Sequence, residues 1–227
     1  MIVLHLVEGY HFARVKFQAD WRVRCIAFLE HGFNCFCMTT LFPLEPSFPD
    51  GFSYHENFID PDEENNLIDE IVKLELHSFR FQGYEAKRKV ASFGYDWNFE
   101  NRTLSKGKDI PVVFDSLMAK VAAHLNIEKK EFAELLVTKY PIDSVINWHR
   151  DAPPFDIIAG ISLQSDCIFR LRPHEKAKQS RGSVVSFPVR QRSLYVMKGP
   201  AKIDWQHSTA PVKKVRYSIT LRTLRSQ

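Results

Sequence analysis

Arg216-Tyr217-Ser218-Ile219-Thr220-Leu221-Arg222 is the stretch on which the reading of this chain turns. Strand side chains alternate between faces, so Arg216, Ser218, Thr220 and Arg222 fall on one side and Tyr217, Ile219 and Leu221 on the other. The second set suits a core. The first carries two guanidinium groups on a half-buried strand, where a cation without an anionic partner is costly. By strand rise the two arginine Cα atoms stand about 20 Å apart. Two long side chains reaching inward can therefore clamp the two ends of a short dicarboxylate, with bidentate geometry at each end.

Outward from this strand, the second half of the chain is patterned alike. Short apolar runs separated by turn residues predict strands over 135–140, 144–149, 156–164, 166–172, 183–188, 193–198, 201–207 and 214–224. Two helices precede them. Asp60-Pro61-Asp62-Glu63-Glu64 supplies an N-cap, a proline at N1 and acids in the first turn, predicting a helix over 61–76. Pro111, with Val113, Leu117, Val121 and Leu125, predicts another over 111–125. Residues 79–100 read as strands and turns with cations among aromatics. Helices followed by a run of strands give an α+β class, and eight strands suit a double-sheet jelly roll.

Asn147-Trp148-His149-Arg150-Asp151 closes one of these strands. Alternation points His149 and Asp151 the same way. An imidazole and a carboxylate side by side, joined by a second His, make the facial triad that holds non-haem Fe(II) and leaves open positions. A lone His-x-Asp is close to chance, so the third ligand matters. His174 lies in a charged loop, while His5, His11, His31, His55, His77 and His124 belong to the first half. His207, ending a predicted strand in the all-β half, is the candidate.

The bulk numbers frame these motifs. With 227 residues, 44% hydrophobic and 13% aromatic, the chain can bury a full core and is not a disordered sequence. Its net charge of +4 is compatible with a polyanionic partner without demanding one. Three of the four cysteines (Cys25, Cys35, Cys37) lie in the first 37 residues with neither zinc-ribbon nor thioredoxin spacing, and the pattern suits a reducing compartment. No apolar run reaches membrane-spanning length, and the opening residues lack a basic region followed by an uninterrupted apolar core, so no secretory signal is expected. The expectation is a cytoplasmic protein, or a nuclear one in a eukaryote, without a membrane partner. Residues 1–37 lack any sustained period and read as an atypical N-terminal extension, either upstream of a biological start at Met38 or a genuine extra N-terminal element. Residues 38–227 read as a single domain.

As an ordered set, His149-x-Asp151, His207, Arg216 and Arg222 resemble the AlkB-like Fe(II)/2-oxoglutarate-dependent dioxygenases. The resemblance spans about residues 50–224 and includes Ala91-Ser92-Phe93-Gly94-Tyr95. It implies a double-stranded β-helix, a distorted jelly roll, with an N-terminal nucleotide-recognition lid. It implies that His149, Asp151 and His207 bind iron, that Arg216 and Tyr140 hold the distal carboxylate of 2-oxoglutarate, and that Arg222 lies near the chelating carboxylate. Where the family often has Asn-x-Tyr, this chain has Thr138-Lys139-Tyr140, and Ser218 stands at an Asn position. Both hydroxyls can still contact the cosubstrate. The implied activity is oxidative dealkylation of N-alkylated bases in DNA or RNA, consuming 2-oxoglutarate and dioxygen and releasing succinate and an aldehyde. Neutral His side chains are required, so metal binding should weaken in acid.

A base within a duplex cannot reach such a pocket, so the partner is single-stranded or flipped-out nucleic acid, bound by a monomer. Phe93, Tyr95, Trp97 and Trp148 are available as stacking surfaces, and Lys87, Arg88, Lys89, Arg170 and Arg172 as backbone cations. Tyr95 matches a substrate-side Tyr of the family. Some members carry an acid two positions after the metal Asp. Here that position is Pro153, with Asp156 close by. Two alternatives stay open: the same iron chemistry on protein or a modified tRNA base, and a non-catalytic jelly roll that binds an anion. The latter has no need for two His, an Asp and two Arg together.

Overall fold

A computed structural model describes residues 46–81, 84–98 and 101–225, together with two short strands, β1 (Cys25–Ile26) and β2 (Phe36–Cys37). The chain divides into two compact units, Met1–Pro46 and Ser47–Gln227. In the first, β1 and β2 pair antiparallel, with Cys25 opposite Cys37. The rest of the 1–37 extension and Met38 lie outside the described residues. The second unit carries every site residue named above.

Its helices form where capping predicts. Asp60 accepts from the Glu63 amide at 2.8 Å, and the Glu63 carboxylate accepts from the Asp60 amide at 2.9 Å, opening α1 (Pro61–Ile71). This helix stops five residues short of the expected 76. Val72 already stands 60% exposed, and the chain turns there toward β4 (His77–Phe81). The second helix also differs from expectation. Pro111 caps a 3₁₀ turn over Val112–Phe114, and α2 runs only over Asp115–Leu125. The tighter turn shifts the phase, burying Phe114 and leaving Val113 half exposed.

The strands are β3 (Phe52–His55), β4, β5 (Tyr84–Asn98) and β6 (Thr103–Lys106), followed by eight more as expected. These are β7 (Phe132–Tyr140), β8 (Ile146–His149), β9 (Phe155–Leu163), β10 (Cys167–Pro173), β11 (Val185–Val189), β12 (Leu194–Met197), β13 (Trp205–Thr209) and β14 (Arg216–Leu224). One expected strand, 201–207, is displaced. Gly199 (φ +51°) and Pro200 start a short helix, α3 (Pro200–Ile203), so the strand begins at Trp205 and His207 sits at its middle.

Two antiparallel sheets result. The larger runs β3-β12-β9-β14-β7-β5-β4 with β6 on β5, and the smaller runs β11-β10-β13-β8. The α+β class and the double-stranded β-helix core are as the sequence implied. Alternation sorts the large sheet into two cores. Leu135, Val137, Ile161, Leu194, Val196, Ile219 and Leu221 pack with α1 and α2 residues, while Tyr140, Ile158, Tyr195 and Met197 pack with Phe169, Leu171 and Phe187 of the small sheet. Gly160 faces Tyr195 across the ladder, and a Cβ there would lie 2.2 Å from the tyrosine ring. Among the described residues no helix is long and apolar enough to cross a membrane.

Candidate active site

The site lies between the sheets. His149 ends β8, and His207 is its direct partner on β13. Their ring centroids are 4.1 Å apart, and the His207 ring stacks on Phe169 at 5.5 Å. Asp151, two residues past His149, brings Oδ2 to 3.6 Å from His207 Nε2. His149 Nδ1 is 2.8 Å from the Asn147 carbonyl. Donation there leaves Nε2 as the available lone pair.

The environment tunes these groups for a metal. Burial, reinforced by His149, pushes His207 down to about 3, and burial likewise lowers His149. Both rings are therefore neutral near pH 7, as metal ligation requires. Burial alone would raise Asp151, but the Arg222 guanidinium and the imidazoles overcome it and hold the carboxyl well below its ordinary range. Asp151 Oδ2 is buried without a hydrogen-bond partner. No three His, Cys, Asp or Glu side chains among the described residues are drawn up at coordination spacing around one point. What the fold supplies is the donor set: two neutral imidazoles and an unpaired carboxylate oxygen, which fit Fe(II).

Arg222 shows what the sequence could not. Its Nη2 and Nε donate to Asp151 Oδ1 at 2.7 and 3.1 Å, and Nη1 donates to Glu134 Oε2 at 2.7 Å. Its anionic partners thus lie within the chain. Glu134, 3% exposed, also accepts from Ser92 at 3.2 Å. Burial raises Glu134 against the pull of Arg222. The sequence reading missed Glu134, although it falls on the same strand face as Thr138 and Tyr140. Knowing that β14 pairs β7, with Arg222 opposite Glu134, would have exposed it.

Arg216 is the opposite case. It is 3% exposed, its Nε donates to Ser162 Oγ at 3.1 Å, and its guanidinium lies 4.8 Å over the Tyr140 ring. Among the described residues no carboxylate pairs with it. Register sets Tyr140 opposite Arg216 and Thr138 opposite Ser218, and the Tyr140 hydroxyl is 3.3 Å from Ser218 Oγ. Of the five expected cosubstrate residues, Tyr140, Thr138 and Ser218 thus form one buried patch with Arg216, while Arg222 is taken by Asp151 and Glu134.

The expected substrate residues divide. Gly94 (φ +84°) approaches the Ala133 carbonyl so closely that a Cβ would lie 2.1 Å from it. The backbone turns there from β7 toward β6, where Tyr95 pairs Lys106 and Trp97 pairs Leu104. Trp97 packs on the inter-sheet core, and Tyr95 is 36% exposed beside a cleft of about 450 Å³. Phe93, before the turn, is instead buried in the core facing the helices. Trp148 is likewise off the site, since alternation places it on the side opposite His149, against Arg170 and Arg172. Asp156 is half-buried at the start of β9 and makes no hydrogen bond to the triad among the described residues. Two further cations come near. Arg88 lies 4.0 Å over Phe79, and its charge adds to the burial that lowers His149. Lys202 Nζ donates to the Ala152 carbonyl at 3.3 Å, steadying the segment after Asp151.

With this geometry in view, the sequence model of the 2OG-Fe(II) oxygenase superfamily matches residues 51–223. The chain belongs to this superfamily. As an oxygenase of this family it uses Fe(II), 2-oxoglutarate and dioxygen, and within the family it is AlkB-like. It is 27% identical over 176 residues to tRNA (carboxymethyluridine(34)-5-O)-methyltransferase alkbh8 of Xenopus tropicalis, covering 75% of this chain and 27% of that protein. The Mus musculus counterpart is 28% identical, over 73% of this chain and 25% of its own length. The oxygenase thus spans about a quarter of these curated relatives. Among solved structures, OsALKBH1 superposes with a TM-score of 0.60 at 14% identity, over 81% of this chain and all of that one. A Pseudomonas putida prolyl-4-hydroxylase superposes at 0.54 with 16% identity, over 78% and 94% respectively. These last two share the fold.

Proposed function

We propose that this oxygenase removes alkyl groups from the nitrogens of DNA or RNA bases presented in single-stranded or flipped-out form. The observation that carries the reading is the β5–β6 hairpin. Gly94 turns it off the sheet, and it holds Trp97 on the inter-sheet core with Tyr95 exposed beside it, an aromatic surface on which a base can stack. The similarity to an enzyme named for tRNA supports a nucleic-acid substrate. The methyl transfer in that name is not carried over, because three quarters of that protein lies outside the match.

His149, Asp151 and His207 would hold Fe(II), and Arg216, Tyr140, Thr138 and Ser218 would receive the distal carboxylate of 2-oxoglutarate. The bound metal, with 2-oxoglutarate and dioxygen, supplies the oxidising power to hydroxylate an alkyl carbon. The chain's residues set the conditions. Arg222 fixes Asp151 through Oδ1, so that Oδ2 is the oxygen left to donate. The charges of Arg216 and Arg222 balance those of Glu134 and Asp151, and a dication with a dicarboxylate then adds no net charge to the buried site. Tyr195 and Phe169 help keep water out. The hydroxylated alkyl group on nitrogen then loses its C–N bond, giving the free base and an aldehyde.

The test is incubation with Fe(II), 2-oxoglutarate and single-stranded oligonucleotides carrying 1-methyladenine or 3-methylcytosine. Formaldehyde release with loss of the methyl mass is expected. Succinate formation with every oligonucleotide unchanged would refute this reading. It would favour a second one, hydroxylation of a modified tRNA base, to which the named tRNA relatives point.

A further inference from the structure

The outer face of the four-stranded sheet carries an arrangement that the iron site does not use. Phe169 and Leu171 of β10 face the inter-sheet core, so Arg170 and Arg172 emerge on the opposite side. Trp148 lies there with them, its ring centroid 4.4 Å from Arg172 Cζ and 5.2 Å from Arg170 Cζ. Arg172 Nε donates to Gln206 Oε1 at 2.8 Å. Arg170 donates from Nε to Ser208 Oγ at 3.0 Å and from Nη2 to the Thr209 carbonyl at 3.1 Å. Cation–π attraction to the indole and the Nε hydrogen bonds hold both guanidinium groups in place. Among the described residues no carboxylate forms an ion pair with either.

We propose that this face is a docking track for the phosphate backbone of a single-stranded nucleic acid, outside the active centre; the inference rests on the nucleic-acid reading above. Charge complementarity favours it. From residue 170 to 181 the chain has five cations (Arg170, Arg172, Lys176, Lys178, Arg181) against Glu175 alone, an excess equal to the +4 of the entire chain. Lys178 and Glu175 pair with each other at 2.7 Å, which leaves the other four without an acid among the described residues. The guanidinium fork suits phosphate oxygens. The sheet order adds the route. β8 is the edge strand, and its neighbours Trp148 and His149 point to opposite faces. A strand that rounds this edge passes from the track to the site.

Binding of an unmodified single-stranded oligonucleotide, followed by fluorescence anisotropy across a salt series, tests the track. In an Arg170→Gln/Arg172→Gln double variant, affinity should fall about tenfold or more, and the slope of log K against log salt should shrink by about 1.4, at about 0.7 per phosphate contact. Turnover of a free methylated nucleoside should match wild type, as should the anaerobic Fe(II)/2-oxoglutarate absorption band. Lys176→Gln, on an exposed turn, should shrink the slope by about 0.7 even if the double variant fails to fold. A wild type that binds while the folded variants bind with equal affinity and slope would overturn the track and leave the nucleic-acid reading standing. A wild type that binds no oligonucleotide would overturn that reading, and the track with it.

Discussion

Replacing Arg216 with methionine should change two measurable quantities in opposite senses. The guanidinium is buried, contacting Ser162 and the face of Tyr140, and has no carboxylate partner among the described residues. Without cosubstrate its removal therefore breaks no ion pair. The lost hydrogen bond to Ser162 costs about 1 kcal/mol, and relief from burying a cation offsets that cost, since an apolar residue of similar volume is neutral or stabilising at such sites. With 2-oxoglutarate the sign reverses. Truncating one side of a buried, hydrogen-bonded charge pair costs 2–5 kcal/mol or more, and about 3 kcal/mol corresponds to a Kd roughly a hundredfold weaker. Anaerobic titration of the Fe(II)-loaded protein with 2-oxoglutarate, followed by the visible charge-transfer band, measures the second quantity. Thermal unfolding without cosubstrate measures the first. For a domain this size about 1 kcal/mol moves Tm by only 2–4 °C. A variant that binds 2-oxoglutarate within threefold of wild type would show that Arg216 does not hold the cosubstrate. A fall in Tm of ten degrees would show that the side chain is structural.

Three further outcomes follow from the same geometry. Asp151→Ala should abolish iron-dependent turnover and leave a folded protein, because Glu134 still pairs Arg222 at 2.7 Å; circular dichroism and metal analysis check both halves. Gly94→Ala meets a positive φ and the Ala133 carbonyl, so it should displace the β5–β6 hairpin and raise KM for oligonucleotide more than KM for 2-oxoglutarate. Acid should destabilise the protein through His207. Its folded pKa of about 3 lies below the unfolded value near 6.5, so the unfolded chain binds the extra proton and stability falls as pH drops between them. The slope is at most about 1.4 kcal/mol per pH unit for this proton. Urea denaturation from pH 7 to 5 should show it, and His207→Gln should reduce the slope, leaving the share that His149 contributes. An unchanged slope in that variant would assign the effect elsewhere.

Much of the site was legible because its signals are local. The i, i+2 spacing of His149 and Asp151, and the alternation of Arg216, Ser218, Thr220 and Arg222, follow from the pleat of any strand. Capping chemistry placed the start of α1. Less legible were positions where one turn resets the phase. The 3₁₀ turn before α2 exchanged Val113 for Phe114, Gly199-Pro200 moved the strand that carries His207, and Gly94 put Phe93 in the helix-facing core and Trp97 on the inter-sheet core. The side on which Trp148 stands was hidden for a related reason: it faces away from His149, onto the outer sheet face with Arg170 and Arg172. Aromatic character says that a residue stacks, but only the sheet shows on which side.

The sequence by itself determined which residues share a strand face, and so that this chain carries an iron-binding pattern and a cation pair within a jelly roll. The tertiary structure decided partnership. It set His207 opposite His149, gave Arg222 to Asp151 and Glu134, and left Arg216 without an acid among the described residues. The physical reason is range. A strand's period of two is fixed by its own backbone, whereas its neighbours are fixed by sheet order and register, which bring together residues as far apart as Glu134 and Arg222.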